Sequence, residues 1–203
     1  MQIRNKIPET DLEKHLELIN SHWNQLKEPQ NLMNAILLSI PIMFLNALIT
    51  IGIIQVVSPS SLTDINISLR SLSITIDLYD IVGLILLLMI HELLHLIFIP
   101  NFTKSNNTYI GITPFGGFVY TEDKLLRLRY IIVTIAPFIL ISIIAPIILG
   151  NMGLLTPFII FLILLNSMAS SVDILIFILI LFQVPSNSYL RSNGMNTYWK
   201  IVQ

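Results

Sequence analysis

The sequence predicts an all-α polytopic membrane protein: four transmembrane helices, short β-hairpin-like loops, and an amphipathic surface helix ahead of the first span. Three observations carry that expectation. Of the 203 residues, 54% are hydrophobic and 11% are charged, with a mean hydropathy of +0.79, which is a membrane rather than a soluble balance. Four apolar stretches, Leu32 to Val57, Tyr79 to Ile99, Tyr130 to Leu149 and Leu154 to Gln183, match the roughly 20 helical residues that cross a hydrocarbon core. All eleven Lys and Arg lie outside them. Backbone in lipid must satisfy its own hydrogen bonds, so the stretches read as helices.

Residues 1–30 precede the first span. Met1 to Glu28 contain no apolar run of the signal-peptide kind, so the first span is expected to direct insertion. Thr10 and Glu13 have capping-box spacing, and Leu12, Leu16, Ile19, Trp23 and Leu26 recur at helical intervals until Pro29. This segment is expected to pack through that apolar stripe on the protein or the membrane face. Residues 31–183 form the four-span unit, and residues 184–203 are expected to be a cytoplasmic tail.

The charges orient the chain. Arg4, Lys6, Lys14 and Lys27 precede the first span. Lys104, Lys124, Arg127 and Arg129 lie between the second and third, and Arg191 and Lys200 follow the fourth, so ten of the eleven fall on one side. Arg70 alone lies on the other, and both termini are expected in the cytoplasm. In the outer loop, Ile65, Ile67 and Leu69 followed by Leu72, Ile74 and Ile76 alternate like a hairpin turning at Arg70 and Ser71. The inner loop, Tyr109 to Tyr120, is punctuated by Gly111, Pro114, Gly116 and Gly117 and also reads as strand and turn.

Composition excludes several chemistries. With no cysteine, thiol catalysis, disulfides and cysteine-ligated zinc are ruled out. A net charge of −1 and a pI of 6.4 give no nucleic-acid surface.

Away from their ends, the stretches hold four ionisable side chains: His91, Glu92, His95 and Asp173. Burying such groups in lipid costs several kcal/mol. His91 and His95 stand one helical turn apart on one face, as two ligands of one metal must, and Glu92 follows the first. HELLH is the zincin motif, in which zinc brings the pKa of its water to about 7 and the glutamate takes the proton. A third ligand is needed. With the cytoplasmic ends of the second and fourth spans aligned, Asp173 differs in depth from His91 by only about 3 Å. Glu122 and Asp123 are rival ligands in a loop. Asn166 and Ser170 precede Asp173 on the same helical face. Either they pack helices together, or Asn166 donates to the substrate carbonyl or oxyanion and Ser170 supports a ligand. The polar run Asn166 to Ser171 also marks a place where the fourth helix is expected to unwind around a watery cavity. His15 and His22 read as surface histidines.

HELLH, the glycine-rich GITPFGGFVY, Ala136-Pro137 in the next span, NSMASSVD and the closing QVP resemble the bacterial integral-membrane zincin peptidase family, over roughly Asp80 to Trp199. That family is in turn similar to the site-two proteases. The resemblance implies zinc held by His91, His95 and Asp173, with Glu92 as catalytic base. It implies cleavage of a membrane protein or peptide by metal-activated water, in a multi-pass protein of the bacterial plasma membrane. Site-two proteases carry prolines and Leu-Asp-Gly at the last motif, where this chain reads Val172, Asp173, Ile174. The competing reading is a non-proteolytic, metal-binding accessory or immunity protein; retention of Glu92, which metal binding alone does not need, weighs against it.

Overall fold

The computed structural model describes residues 1–4, 6, 8–59, 77–113 and 116–202. The hairpin expected at Ile65 to Ile76 lies outside the described residues, as does Pro114. About 60% of the described residues are helical. Among the described residues, four helices are long and apolar enough to cross a membrane: Leu32–Val57, Leu78–Phe98, Arg127–Asn151 and Pro157–Gln183.

Local sequence sets their starts. Asn31 accepts the N–H of Asn34, Asp77 and Asp80 form a capping box, and Thr156 caps a helix whose first residue is Pro157. Asp80 is thus absorbed by the helix terminus. The outward faces are apolar, with Phe44, Leu48 and Phe161 more than half exposed, while polar groups turn inward. Asn46 Nδ2 donates to Ser167 O at 3.1 Å, Thr50 Oγ1 to Ser167 Oγ at 2.9 Å, and Ser171 Oγ to Ser39 Oγ at 3.2 Å. Small polar residues at helix contacts are what holds helices together when both sides of the bundle are apolar.

Two of the four helices are interrupted. The third is α-helical over Arg127–Pro137, π-helical over Phe138–Ile144 and α-helical again over Ala145–Asn151. The fourth breaks only at Ser170, between Pro157–Ala169 and Ser171–Gln183. Its hydrogen bonds continue through the break, from Ser170 N–H to Asn166 O and from Ile174 N–H to Ser170 O. The expected unwinding is therefore a single-residue kink.

Among the described residues, seven strands join the helices at one end: β1 (Gln2–Ile3), β2 (Asn24–Gln25), β3 (Thr108–Thr113), β4 (Gly116–Thr121), β5 (Leu125–Leu126), β6 (Ser188–Asn193) and β7 (Asn196–Ile201). They form two sheets, β1-β3-β4 and β2-β7-β6-β5. β1 runs parallel to β3, and the other pairings are antiparallel. The all-α expectation is thus corrected: the loops build a two-sheet cap, because backbone leaving a helix bundle still needs partners. Residues 184–203, expected as a tail, supply β6 and β7, and β7 pairs with β2. Beneath the second sheet Leu26, Ile131, Ile180, Val184 and Leu190 form one core cluster.

The N-terminal helix spans Leu12–Asn20, and its cap is Asp11 rather than Thr10. Asp11 Oδ1 takes the N–H groups of Glu13 and Lys14, while Thr10 Oγ1 is occupied by Asn196 Nδ2 at 3.2 Å. The helix docks by polar links, Lys14 to Glu122 and His15 Nδ1 to Tyr198 Oη at 2.7 Å, and through buried Leu18. Of the predicted stripe, Leu26 is buried in the core, while Leu12 at 73% and Leu16 at 59% exposed form an outward apolar face. Gly194, at φ +59, makes the β6–β7 turn, and a Cβ there would meet Thr10 N at 2.4 Å, so only glycine lets the N-terminal segment lie against it.

Candidate metal centre

His91 and His95, one turn apart on the second apolar helix, face Asp173 in the first turn after the kink of the fourth. Each ring has one nitrogen fixed by an acceptor. His95 Nδ1 lies 2.7 Å from Val133 O, which can only accept, so Nδ1 carries the hydrogen. His91 Nδ1 lies 2.9 Å from Asn166 Oδ1. Asn166 spends its amide hydrogens on Pro137 O at 3.2 Å and Ser142 Oγ at 2.9 Å, so it too must accept from the histidine. Both Nε2 atoms are left with lone pairs.

Those atoms converge. The two Nε2 are 3.3 Å apart, and Asp173 Oδ2 lies 3.5 Å from His91 Nε2 and 3.7 Å from His95 Nε2. Two lone pairs and a carboxylate oxygen meet with no donor among them, an arrangement that one cation satisfies completely. The spacing fits as well: ligand atoms 2.0–2.1 Å from a tetrahedral zinc stand about 3.3 Å from one another. Among the described residues this trio is the group of His, Asp and Glu side chains close enough to hold a metal ion. Glu122 and Asp123, the rival ligands, are engaged in the cap with Lys14 and with Ser105 and Asn107.

Glu92 is held from the cap side. Its carboxylate faces the backbone N–H of Val119 on β4, and a Cβ added to Gly117 would stand 2.7 Å from its Cγ. Glu122 N–H bonds back toward β3 at Asn107 O, so the alternate residues Thr121, Val119 and Gly117 turn their backbone groups to the other edge of β4. A largely apolar cavity of about 180 Å³ lies beside His95 and Asp173 and is lined from the cap by Tyr120, Thr121 and Ser192.

Asn166 is 1% exposed and its amide is fully used, so it orients His91 and does not reach toward an oxyanion. Ser170 is buried, and its Oγ has no hydrogen-bond partner, so it supports no ligand by hydrogen bonding. Sequence reading missed Val133, whose contribution is a backbone carbonyl with no side-chain signature. Gly117 was legible only as a loop glycine, not as the place where Glu92 approaches β4.

No curated protein and no solved structure matches the chain. A family model described as "putative zincin peptidase" matches residues 84–189, more than half of the sequence and the part that holds both histidines, Glu92, Asn166 and Asp173. The chain belongs to this zincin peptidase family.

Proposed function

We propose that the protein is a zinc-dependent endopeptidase that cuts a membrane-embedded or membrane-adjacent segment of a protein substrate on the cytoplasmic side of a bacterial plasma membrane. The observation that carries this reading is the position of Glu92, beside three convergent acceptors and against β4, which is the edge strand of its sheet among the described residues. His91 Nε2, His95 Nε2 and Asp173 would hold the zinc, the two-histidine, one-aspartate set that the resemblance to site-two proteases implies. Bound zinc lowers the pKa of water to about 7 and polarises a carbonyl. Glu92 takes the proton of the attacking water as its oxygen adds to the carbonyl carbon, then delivers it to the amine nitrogen as the C–N bond breaks. A substrate in extended form adds to the outer edge of β4, whose backbone groups fix its register beside Glu92.

The cytoplasmic assignment rests on charge. Ten of the eleven Lys and Arg lie on the segments at the capped end, the bias that sets orientation in membranes. The test is zinc content and cleavage in native membranes. About one zinc per chain is expected, together with a Glu92→Gln variant that keeps zinc, loses cleavage by roughly a thousandfold and retains bound substrate. Metal-free protein, or full cleavage by Glu92→Gln, refutes the proposal.

A further inference from the structure

We infer that Pro137 is a positioning residue for both histidines, an inference that rests on the metal-centre reading above. In an α-helix the carbonyl of residue i accepts the N–H of residue i+4. Val133 stands four residues before Pro137, and a proline nitrogen carries no hydrogen. The next donor does not substitute, because Phe138 N–H bonds to Ile135 O. Val133 O is left without its helical partner inside the bundle, and His95 Nδ1 fills the vacancy at 2.7 Å. A buried carbonyl without a donor is costly; the need for one therefore orients the ring and fixes its tautomer.

The second arm runs through the carbonyl of Pro137 itself. It accepts Asn166 Nδ2–H at 3.2 Å, and Asn166 Oδ1 in turn takes His91 Nδ1–H at 2.9 Å. The wide turn that follows contributes too. Over Phe138–Ile144 the helix is π-helical, with Ala145 N–H reaching back to Leu140 O. Ser142 in that turn supplies the other acceptor for Asn166, at 2.9 Å. The missing N–H of one residue frees the acceptor for His95, and its C=O anchors the acceptor for His91. Both Nε2 atoms are thereby kept unprotonated and aimed at Asp173.

Pro41, inside the first apolar helix, provides the control. It stands in the same relation to Leu37, which is 57% exposed on the outer surface of the bundle. The experiment measures zinc affinity of the full-length protein by chelator competition, together with the visible spectrum of its cobalt-substituted form. Pro137→Ala restores an N–H that competes for Val133 O. It is expected to bind zinc about 10- to 100-fold more weakly, the usual consequence of losing an outer hydrogen-bond partner, and to alter the cobalt spectrum, while Pro41→Ala matches the parent. Parent-like affinity and spectrum in Pro137→Ala overturn the inference, as does equal weakening in Pro41→Ala. If Pro137→Ala does not yield folded protein, Asn166→Ala carries the test through the other arm: weaker zinc binding of the same size supports the inference and parent-like affinity overturns it. A parent that binds no zinc overturns the metal-centre reading and this inference together. A parent that binds zinc beside an unaltered Pro137→Ala overturns the positioning role alone.

Discussion

The apolar bundle and its two-sheet cap use polar groups in opposite ways. In the bundle they are few, and apart from Ser170 they find partners within a turn or across one helix contact: Thr50 with Ser167, Asn166 with Pro137 and Ser142, His95 with Val133. In the cap they are many, and the links that matter join residues more than a hundred positions apart. Glu28 takes the N–H and hydroxyl of Thr197, Asn193 brackets the backbone of Asp11, and Lys14 meets Glu122. Where a polar group is costly to bury, its presence already announces a partner or a function. Where it is cheap, only the partner reveals its role. Changes in the bundle centre should therefore alter metal binding and chemistry, and changes in the cap should alter stability.

The largest expected effect lies in the bundle. Asp173→Ala removes one of three convergent acceptors, and zinc affinity should fall by more than the about 10- to 100-fold typical of an outer partner. Unchanged occupancy in an equilibrium titration would mean that the third ligand lies elsewhere. Gly117→Ala tests the border between the regions, because it is a cap residue whose new Cβ would sit 2.7 Å from Glu92 Cγ. A displaced base of that order should lower cleavage by roughly a hundredfold with zinc retained; parent-like cleavage would separate Glu92 from β4.

Glu28 gives a smaller effect confined to stability. Burial raises its carboxyl from 4.5 to about 7, against the hydrogen bonds from Thr197, which lower it. The native state then holds a proton that the unfolded chain has released. Its contribution is full below about 4.5 and is lost as pH rises through about 7, on the order of 2 kcal/mol. Melting of the detergent-solubilised protein at pH 5 and pH 8 should show this loss in the parent and a flatter dependence in Glu28→Gln; parallel curves would remove Glu28 as the cause. Smallest of all, Lys14→Ala should cost about 1 kcal/mol or less for a partly exposed pair, with cleavage unchanged. A loss of zinc in that variant would break the separation of roles.

Much of the bundle was legible beforehand. The four apolar stretches fall within a few residues of the observed helices, since length and hydropathy leave little choice. His91, Glu92, His95 and Asp173 stood out because nothing else ionisable sits deep in those stretches, and a depth argument put Asp173 level with His91. The cap was read less well. The stripe of Leu12, Leu16 and Ile19 does not show that the helix docks on the chain itself through Lys14, His15 and Leu18, because the partners Glu122 and Tyr198 lie more than a hundred residues away. Thr10 looked like the cap, but Asn196 occupies it and leaves the role to Asp11.

The sequence by itself determined the four helices, the zincin motif and its approximate depth, since each follows from local periodicity and from the cost of charge among apolar residues. Only the tertiary structure decided how that charge is organised. Val133 O, Asn166 and the backbone of β4 reach His95, His91 and Glu92 from three other elements. A backbone carbonyl or a glycine declares no partner until packing brings one within 3 Å, so orientation of the site belongs to the fold, and its composition to the sequence.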